Sequence, residues 1–233
     1  MSMKKWLAVL TLCFVILFGE QMSLSAAAPV EIKLTPAQLT EIQLEKEQTK
    51  KAGQLKKVDL SMLEEVAKAK GLHPDQLVTK QGNGQVGTTG DILVTLSDKS
   101  SSSFLWVGGH AGIVSTNSRY TVESFGNKTP DKNGVRRWDN DWANRYSMVR
   151  GLWVKGAKSD HYRKAAEYSV AQIGKPYNYN FFDVETTSAF YCSQLVWRAW
   201  YNAKGVDLND GGAVWPVDLI ESPHTTVFYS QGQ

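Results

Sequence analysis

Cys192 and His110 are the residues of this 233-residue chain whose types and positions suit nucleophilic catalysis. The other cysteine, Cys13, falls in a stretch typical of a secretory signal peptide, so the mature chain is expected to contain one cysteine. Exported proteins normally use cysteines in disulfide pairs. An unpaired Cys192 is therefore either a small buried apolar residue or a reactive thiol. Its expected place at the start of an amphipathic helix would lower the pKa of the thiol through unpaired amide groups.

A cysteine nucleophile needs a base, and His110 has the most suggestive setting of the four histidines. It lies in Gly108-Gly109-His110-Ala111-Gly112, at the entrance of an expected strand, where glycines allow close approach of another backbone or a ligand. The remaining three, His73, His161 and His224, fit exposed positions near helix ends and the C-terminus. We expect His110 to be the base, with a structural role in the strand as the alternative.

Glu123 is the candidate to orient the imidazole of His110. If residues 110–115 and 120–125 form a hairpin in which Ser115 faces Tyr120, then Gly112 faces Glu123. Glu123 and His110 then share a face as diagonal neighbours about 7–8 Å apart. A slip of one residue would put them on opposite faces and make Glu123 an exposed strand residue. Both registers fit the sequence.

The surrounding segments predict a domain of the α+β class. A helix is expected to begin at Thr35-Pro36, and another spans Leu60 to Lys70 with Gly71 as its stop. Strands are predicted within 91–96, 104–107, 111–114, 119–125 and 147–153, and further helices within 160–173 and 191–203.

The N-terminus predicts export. Lys4 and Lys5 precede an apolar run from Trp6 to Phe18, and small residues follow in Ser25-Ala26-Ala27-Ala28. Residues 1–28 are therefore expected to be a signal peptide, with an uncleaved membrane anchor as the alternative. Residues 29–85 are expected to form a helical extension and a glycine-rich linker, and residues 86–233 the main domain. The extension is either a solvated surface, a propeptide or a wall-binding hairpin.

Composition excludes several function classes. The formal charge is +3 and falls to about +2 without the expected signal peptide, so nothing indicates a nucleic-acid partner. After signal cleavage no stretch is apolar enough for stable membrane insertion. Asp139, Asp141 and Glu185 lack metal-ligand spacing and nearby histidine or cysteine partners, so we expect no metal and no cofactor.

Four segments, taken in order, resemble the permuted papain-like hydrolases of the YiiX/YaeF type, part of the wider NlpC-type amidase group. They are Gly90-Asp91-Ile92-Leu93, Gly109-His110-Ala111-Gly112-Ile113-Val114, Val122-Glu123-Ser124 and Phe190-Tyr191-Cys192-Ser193-Gln194-Leu195-Val196. The histidine precedes the cysteine, whereas papain has the cysteine first. The segments 174–178 and 214–219 also resemble the family. The resemblance covers about residues 88–228 and implies a permuted papain-like domain with an antiparallel sheet packed on helices.

The resemblance implies a cysteine hydrolase that forms an acyl-thioester intermediate. Cys192 would be the nucleophile, His110 the base and Glu123 the residue that orients it, and the backbone amide of Cys192 would donate to the oxyanion. Tyr177 and Tyr191 are candidates for substrate binding or oxyanion stabilisation, with core packing as the alternative for Tyr191.

The resemblance leaves the substrate open. Some members of the group act on peptides or cell-wall stem peptides, and others transfer or cleave acyl groups on lipids. We expect an exported bacterial cysteine peptidase or amidase, extracellular or associated with the cell wall, that acts on a peptide or peptidoglycan-derived substrate. A lipid-directed acyltransferase or lipase and a catalytically inactive binding module are the alternatives.

Overall fold

The structure, a computed structural model, describes residues 33–51, 58–72, 83–97, 100–209 and 211–232. Leu34–Gln233 forms one compact unit. The expected signal peptide and His73 lie outside the described residues. The boundary expected between residues 85 and 86 stays a prediction. No helix within the described ranges has the length and apolar character needed to cross a bilayer.

The described residues contain a six-stranded antiparallel sheet with the strand order β4-β3-β2-β1-β5-β6. In chain order the strands are β1 (Ile92–Thr95), β2 (His110–Val114), β3 (Tyr120–Phe125), β4 (Gly134–Asp139), β5 (Val149–Val154) and β6 (Thr225–Gln231). The helices are α1 (Pro36–Lys50), α2 (Leu60–Lys70), α3 (Trp142–Arg145), α4 (Ser159–Ala171), α5 (Cys192–Lys204) and α6 (Pro216–Glu221). The expected α+β class, with an antiparallel sheet and a helical N-terminal extension, is confirmed.

Helix α5 lies at the centre of the packing. It contacts β2 and β3 on the sheet and α4 on its other side. Its apolar residues Leu195, Val196, Ala199 and Trp200 are all fully buried. Strands β1, β2 and β5 are buried along their whole lengths. Cys192, the first residue of α5, is therefore held directly against the strands that carry the other candidate residues.

Helix α1 begins, and helix α2 begins and ends, where the sequence predicts. Thr35 caps α1 through a reciprocal capping box with Gln38, and Gly71 ends α2 in the left-handed conformation at φ 75°. Glu41 of α1 accepts hydrogen bonds from the backbone of Ala213 at 2.9 Å and from Trp215 Nε1 at 3.1 Å. The extension is thus packed on the same compact unit as the sheet.

The strand predicted at Phe104 to Val107 is wrong. Phe104 is 84% exposed, and the segment forms turns because serine hydroxyls bond the backbone in place of a strand partner. Ser101 Oγ accepts from the backbone of Ser103, and Ser103 Oγ accepts from Leu105. The helix predicted within 160–173 ends at Ala171, and Ile173 beyond it is 38% exposed.

Candidate active site

The hairpin of β2 and β3 brings His110 and Glu123 together. Gly112 pairs with Glu123 across the two strands, and the backbone of Ser115 donates to Tyr120. This is the first of the two registers considered above, so the two side chains share a face. Gly112 is needed there, because a Cβ at that position would lie 2.8 Å from Glu123 Cγ. His110 Nε2 lies 2.6 Å from Glu123 Oε2.

Glu123 is fully buried and its carboxylate is surrounded by donors. Oε1 accepts from Trp142 Nε1 at 3.0 Å, from Arg145 Nη2 at 2.7 Å and from Thr121 Oγ1. Burial alone would raise the pKa of Glu123, but the charge of Arg145 and the bonds from His110 and Thr121 lower it to about 2. An ionised carboxylate only accepts hydrogen bonds, so Nε2 of His110 must carry a proton.

Aromatic rings fix the plane of the His110 imidazole. The ring stacks on Phe125 with centroids 4.0 Å apart and on Trp142 with centroids 5.7 Å apart. Nε2 is taken by Glu123, so Nδ1 is the nitrogen left for proton transfer. Nδ1 makes no hydrogen bond of ordinary geometry. The imidazole and the Cys192 thiol nevertheless interact closely enough that each shifts the pKa of the other.

Cys192 is a free, fully buried thiol at the first position of α5. Three hydrogen bonds hold the start of the helix. Gln194 Oε1 accepts from the backbone N–H of Tyr191 at 3.2 Å. Ser193 Oγ donates to the carbonyl of Val214, and Ser124 Oγ of β3 donates to the carbonyl of Phe190, both at 2.6 Å. The backbone amides of the first helical turn have no acceptor within the helix. They are available to a negatively charged oxygen beside the sulfur.

The electrostatics of the pair favour a thiolate and an imidazolium. Burial opposes ionisation of Cys192, but the interaction with His110 outweighs it and lowers the pKa of the thiol. Burial likewise opposes protonation of His110, but Cys192 and Glu123 raise its pKa from 6.5 to about 9. The two shifts have the same origin, and together they stabilise a charged nucleophile at neutral pH.

The two candidate tyrosines have different environments. Tyr191 donates through its hydroxyl to Phe181 at 3.0 Å and accepts from the backbone of Val214 at 2.9 Å, which favours the packing role left open above. Tyr177 is buried, and its ring fills the space that a side chain at Gly126 would occupy. Burial and the neighbouring Cys192 raise the pKa of Tyr177 well above its ordinary value, so its hydroxyl stays protonated close to the nucleophile.

Ser100 is a residue that the sequence analysis missed. Its hydroxyl lies 3.1 Å from Cys192 Sγ and is fully buried. The run Ser100-Ser101-Ser102-Ser103 carries only a loop signal in the sequence. Nothing in that pattern indicates a contact with a residue 92 positions later along the chain. Arg145 was also missed, because its ion pair with Glu123 depends on α3 following β4.

A cavity of about 630 Å³ opens next to residues that contact Glu123 and His110. Arg145, which binds Glu123, and Tyr146, whose ring lies 6.3 Å from that of His110, both line it. Its lining carries both signs of charge, for example Lys128 and Asp139. Among the described residues no three His, Cys, Asp or Glu side chains are grouped to hold a metal ion.

A family model described as "Permuted papain-like amidase enzyme, YaeF/YiiX, C92 family" matches residues 87–223, which is more than half of the chain. The chain belongs to this family. Membership confirms the resemblance seen in the sequence, and the family is described as one of permuted papain-like amidases.

A curated relative supports the assignment over a shorter stretch. The uncharacterized protein YycO of Bacillus subtilis (strain 168) is 36% identical over 67 residues, which covers 27% of this chain and 27% of that protein. The match therefore spans about a quarter of the relative's length. No solved structure gives a significant match.

Proposed function

We propose that this chain is an exported cysteine amidase that cleaves an amide bond of a peptide or cell-wall stem peptide through an acyl-thioester intermediate. The observation that carries the proposal is the buried relay of Glu123, His110 and Cys192. The carboxylate holds Nε2 of the imidazole at 2.6 Å, and the imidazole in turn lowers the pKa of the thiol. Family membership supplies the reaction class, and the relay supplies residues suited to each step.

The proposed reaction has two halves. The thiolate of Cys192 attacks the carbonyl carbon, and amides of the first turn of α5 stabilise the oxygen that becomes negative. As the C–N bond breaks, protonated His110 gives its Nδ1 proton to the leaving amine and a thioester remains. A water then attacks the thioester while His110 takes one of its protons. The carboxylic acid leaves, and the Cys192–His110 ion pair is restored.

The charged cavity lined by Arg145 and Tyr146 favours a peptide over a lipid. Its lining also includes the charged side chains of Lys128 and Asp139. A hydrophilic amine product suits such a surface, whereas an apolar acyl chain would desolvate these charges at a cost. The signal-peptide pattern at residues 1–28 supports action outside the cytoplasm.

Purified cell-wall peptides test the proposal. The wild type is expected to release free amino groups, while Cys192→Ala and His110→Ala lose this activity. His161→Ala is the matched control, because His161 lies on α4 and uses Nδ1 only to accept from Lys158 at 3.0 Å. Equal release by wild type and Cys192→Ala would overturn the chemistry. Release of fatty acids from phospholipid vesicles, without amine release, would support the lipid-directed alternative.

A further inference from the structure

Ser100 contacts the proposed nucleophile from a different part of the chain. Its Oγ lies 3.1 Å from Cys192 Sγ, and both residues are fully buried. By distance alone either group is able to donate the hydrogen. The hydroxyl is inaccessible to water, and the Tyr177 side chain also interacts with it.

The charge state of the site decides the direction of this hydrogen bond. The ionised form of Cys192 is favoured by protonated His110, and a thiolate has no hydrogen to donate. Ser100 must then be the donor. A buried thiolate needs such donors, because it has lost the water that would otherwise solvate it.

The backbone that carries Ser100 is fixed to β3. The backbone N–H of Gly126 donates to the Ser100 carbonyl at 2.6 Å, and Ser101 forms a parallel bridge with Gly126. On the other side of Gly126 the ring of Tyr177 fills the space, so a Cβ there would lie 2.6 Å from the ring. The backbone of Ser100 is therefore held in place by Gly126, the residue that follows strand β3, which carries Glu123.

We propose that Ser100 is a further catalytic residue whose hydroxyl donates a hydrogen bond to the Cys192 thiolate. The inference rests on the proposed function, in which Cys192 is the nucleophile. The bond stabilises the sulfur while it is charged and weakens as the S–C bond forms and the charge moves to the substrate oxygen. Ser100 thus widens the pH range in which the thiolate is present and makes each thiolate somewhat less nucleophilic.

The experiment measures the rate at which iodoacetamide alkylates Cys192 in the full chain between pH 5 and 10. Mass spectrometry of the peptide that contains Cys192 distinguishes it from Cys13. Loss of one charge-assisted hydrogen bond in Ser100→Ala is expected to shift the thiolate equilibrium about tenfold, or about one pKa unit upward. Intrinsic nucleophilicity then rises about threefold. The variant should react about threefold more slowly at low pH and about threefold faster above both pKa values, so the two curves cross.

Two further variants complete the test. Ser100→Thr keeps a hydroxyl and is expected to restore the wild-type curve. Ser101→Ala is the matched control, because Ser101 is equally buried but accepts from the backbone of Ser103 at 3.1 Å. This variant should follow the wild type at every pH.

The other outcomes overturn the inference. Identical curves for wild type and Ser100→Ala would show that the hydroxyl does not stabilise the thiolate, and a lower pKa in the variant would show that Ser100 accepts from the thiol. A uniform loss of rate at all pH values would indicate a structural role. If the proposed function itself is wrong, the result is different: His110→Ala then gives the same alkylation curve as the wild type.

Discussion

Replacement of Glu123 by glutamine is expected to lower kcat strongly while the fold is kept. Glu123 Oε1 accepts from three donors, Trp142, Arg145 and Thr121, so the amide oxygen of glutamine should take that place. The amide nitrogen is then left facing His110, where Oε2 was. An amide N–H donates, and so His110 Nε2 has to become an acceptor. The proton moves to Nδ1, and the neutral imidazole is left with no free nitrogen to accept a proton from the thiol.

The magnitude has two parts. The pKa of His110 is raised from 6.5 to about 9, which corresponds to about 3 kcal/mol in favour of the imidazolium. Cys192 and Glu123 both contribute to this free energy. If each contributes half, loss of the carboxylate lowers the rate roughly tenfold. The wrong tautomer adds to it, since the corresponding change in a Ser-His-Asp triad costs about 10⁴ in kcat. We therefore expect a fall in kcat between about tenfold, from the lost charge alone, and about 10⁴, the cost of the corresponding change in the triad, with a smaller change in KM.

The assay is amine release from wall peptides at pH 7 together with the pH profile of Cys192 alkylation. Glu185→Gln is the matched control, because Glu185 also pairs with an arginine, Arg198 at 2.7 Å, but is largely exposed and distant from His110. Far-ultraviolet circular dichroism checks that both variants fold. If Glu123→Gln keeps kcat within about threefold and alkylates with the wild-type pH profile, the argument that Glu123 orients His110 is refuted.

Three other predictions concern the stability of the fold and the packing that supports the site. Glu123, whose pKa is lowered from 4.5 to about 2, stabilises the fold fully above pH 4.5 and loses this contribution as pH falls through 2. Melting temperatures should fall as pH drops from 4.5 through 2; a flat profile there would contradict this. Lys70→Met leaves the buried Asp91 without its ion-pair partner. This variant should lower the free energy of unfolding, measured in urea, by about 3–5 kcal/mol. Replacement of the exposed Lys68 by methionine is the control and should change it by under about 0.5 kcal/mol. Gly126→Ala displaces the Tyr177 ring and should slow Cys192 alkylation with little change in melting temperature; an unaltered rate would show that the ring does not support the site.

The hairpin shows what the sequence was able to predict. Side chains alternate between the two faces of β2 and β3. A turn in which Ser115 faces Tyr120 therefore places Glu123 beside His110, and this register is the one that forms. The choice between registers was beyond the sequence because it depends on burial of Glu123 among Trp142 and Arg145, which follow a later strand. The helix bounds at Thr35 and Gly71 were predictable because capping is a local interaction.

Ser100 and Phe104 show where sequence reasoning fails. Phe104, Leu105 and Trp106 have the composition of a strand, yet hydroxyl groups of the preceding serines satisfy the backbone and turn the chain. The contact between Ser100 and Cys192 joins residues 92 positions apart. Such a contact is set by the packing of β3 against α5, and no local pattern encodes it.

The ion pair between Lys70 and Asp91 limits how this protein is able to mature. Lys70 belongs to α2 of the extension, while Asp91 directly precedes β1 at the centre of the sheet. A protease that cut downstream of α2 and released it would leave a carboxylate inside the sheet with no countercharge. We therefore expect any processing that preserves the fold to cut upstream of α2, so that this helix stays with the sheet.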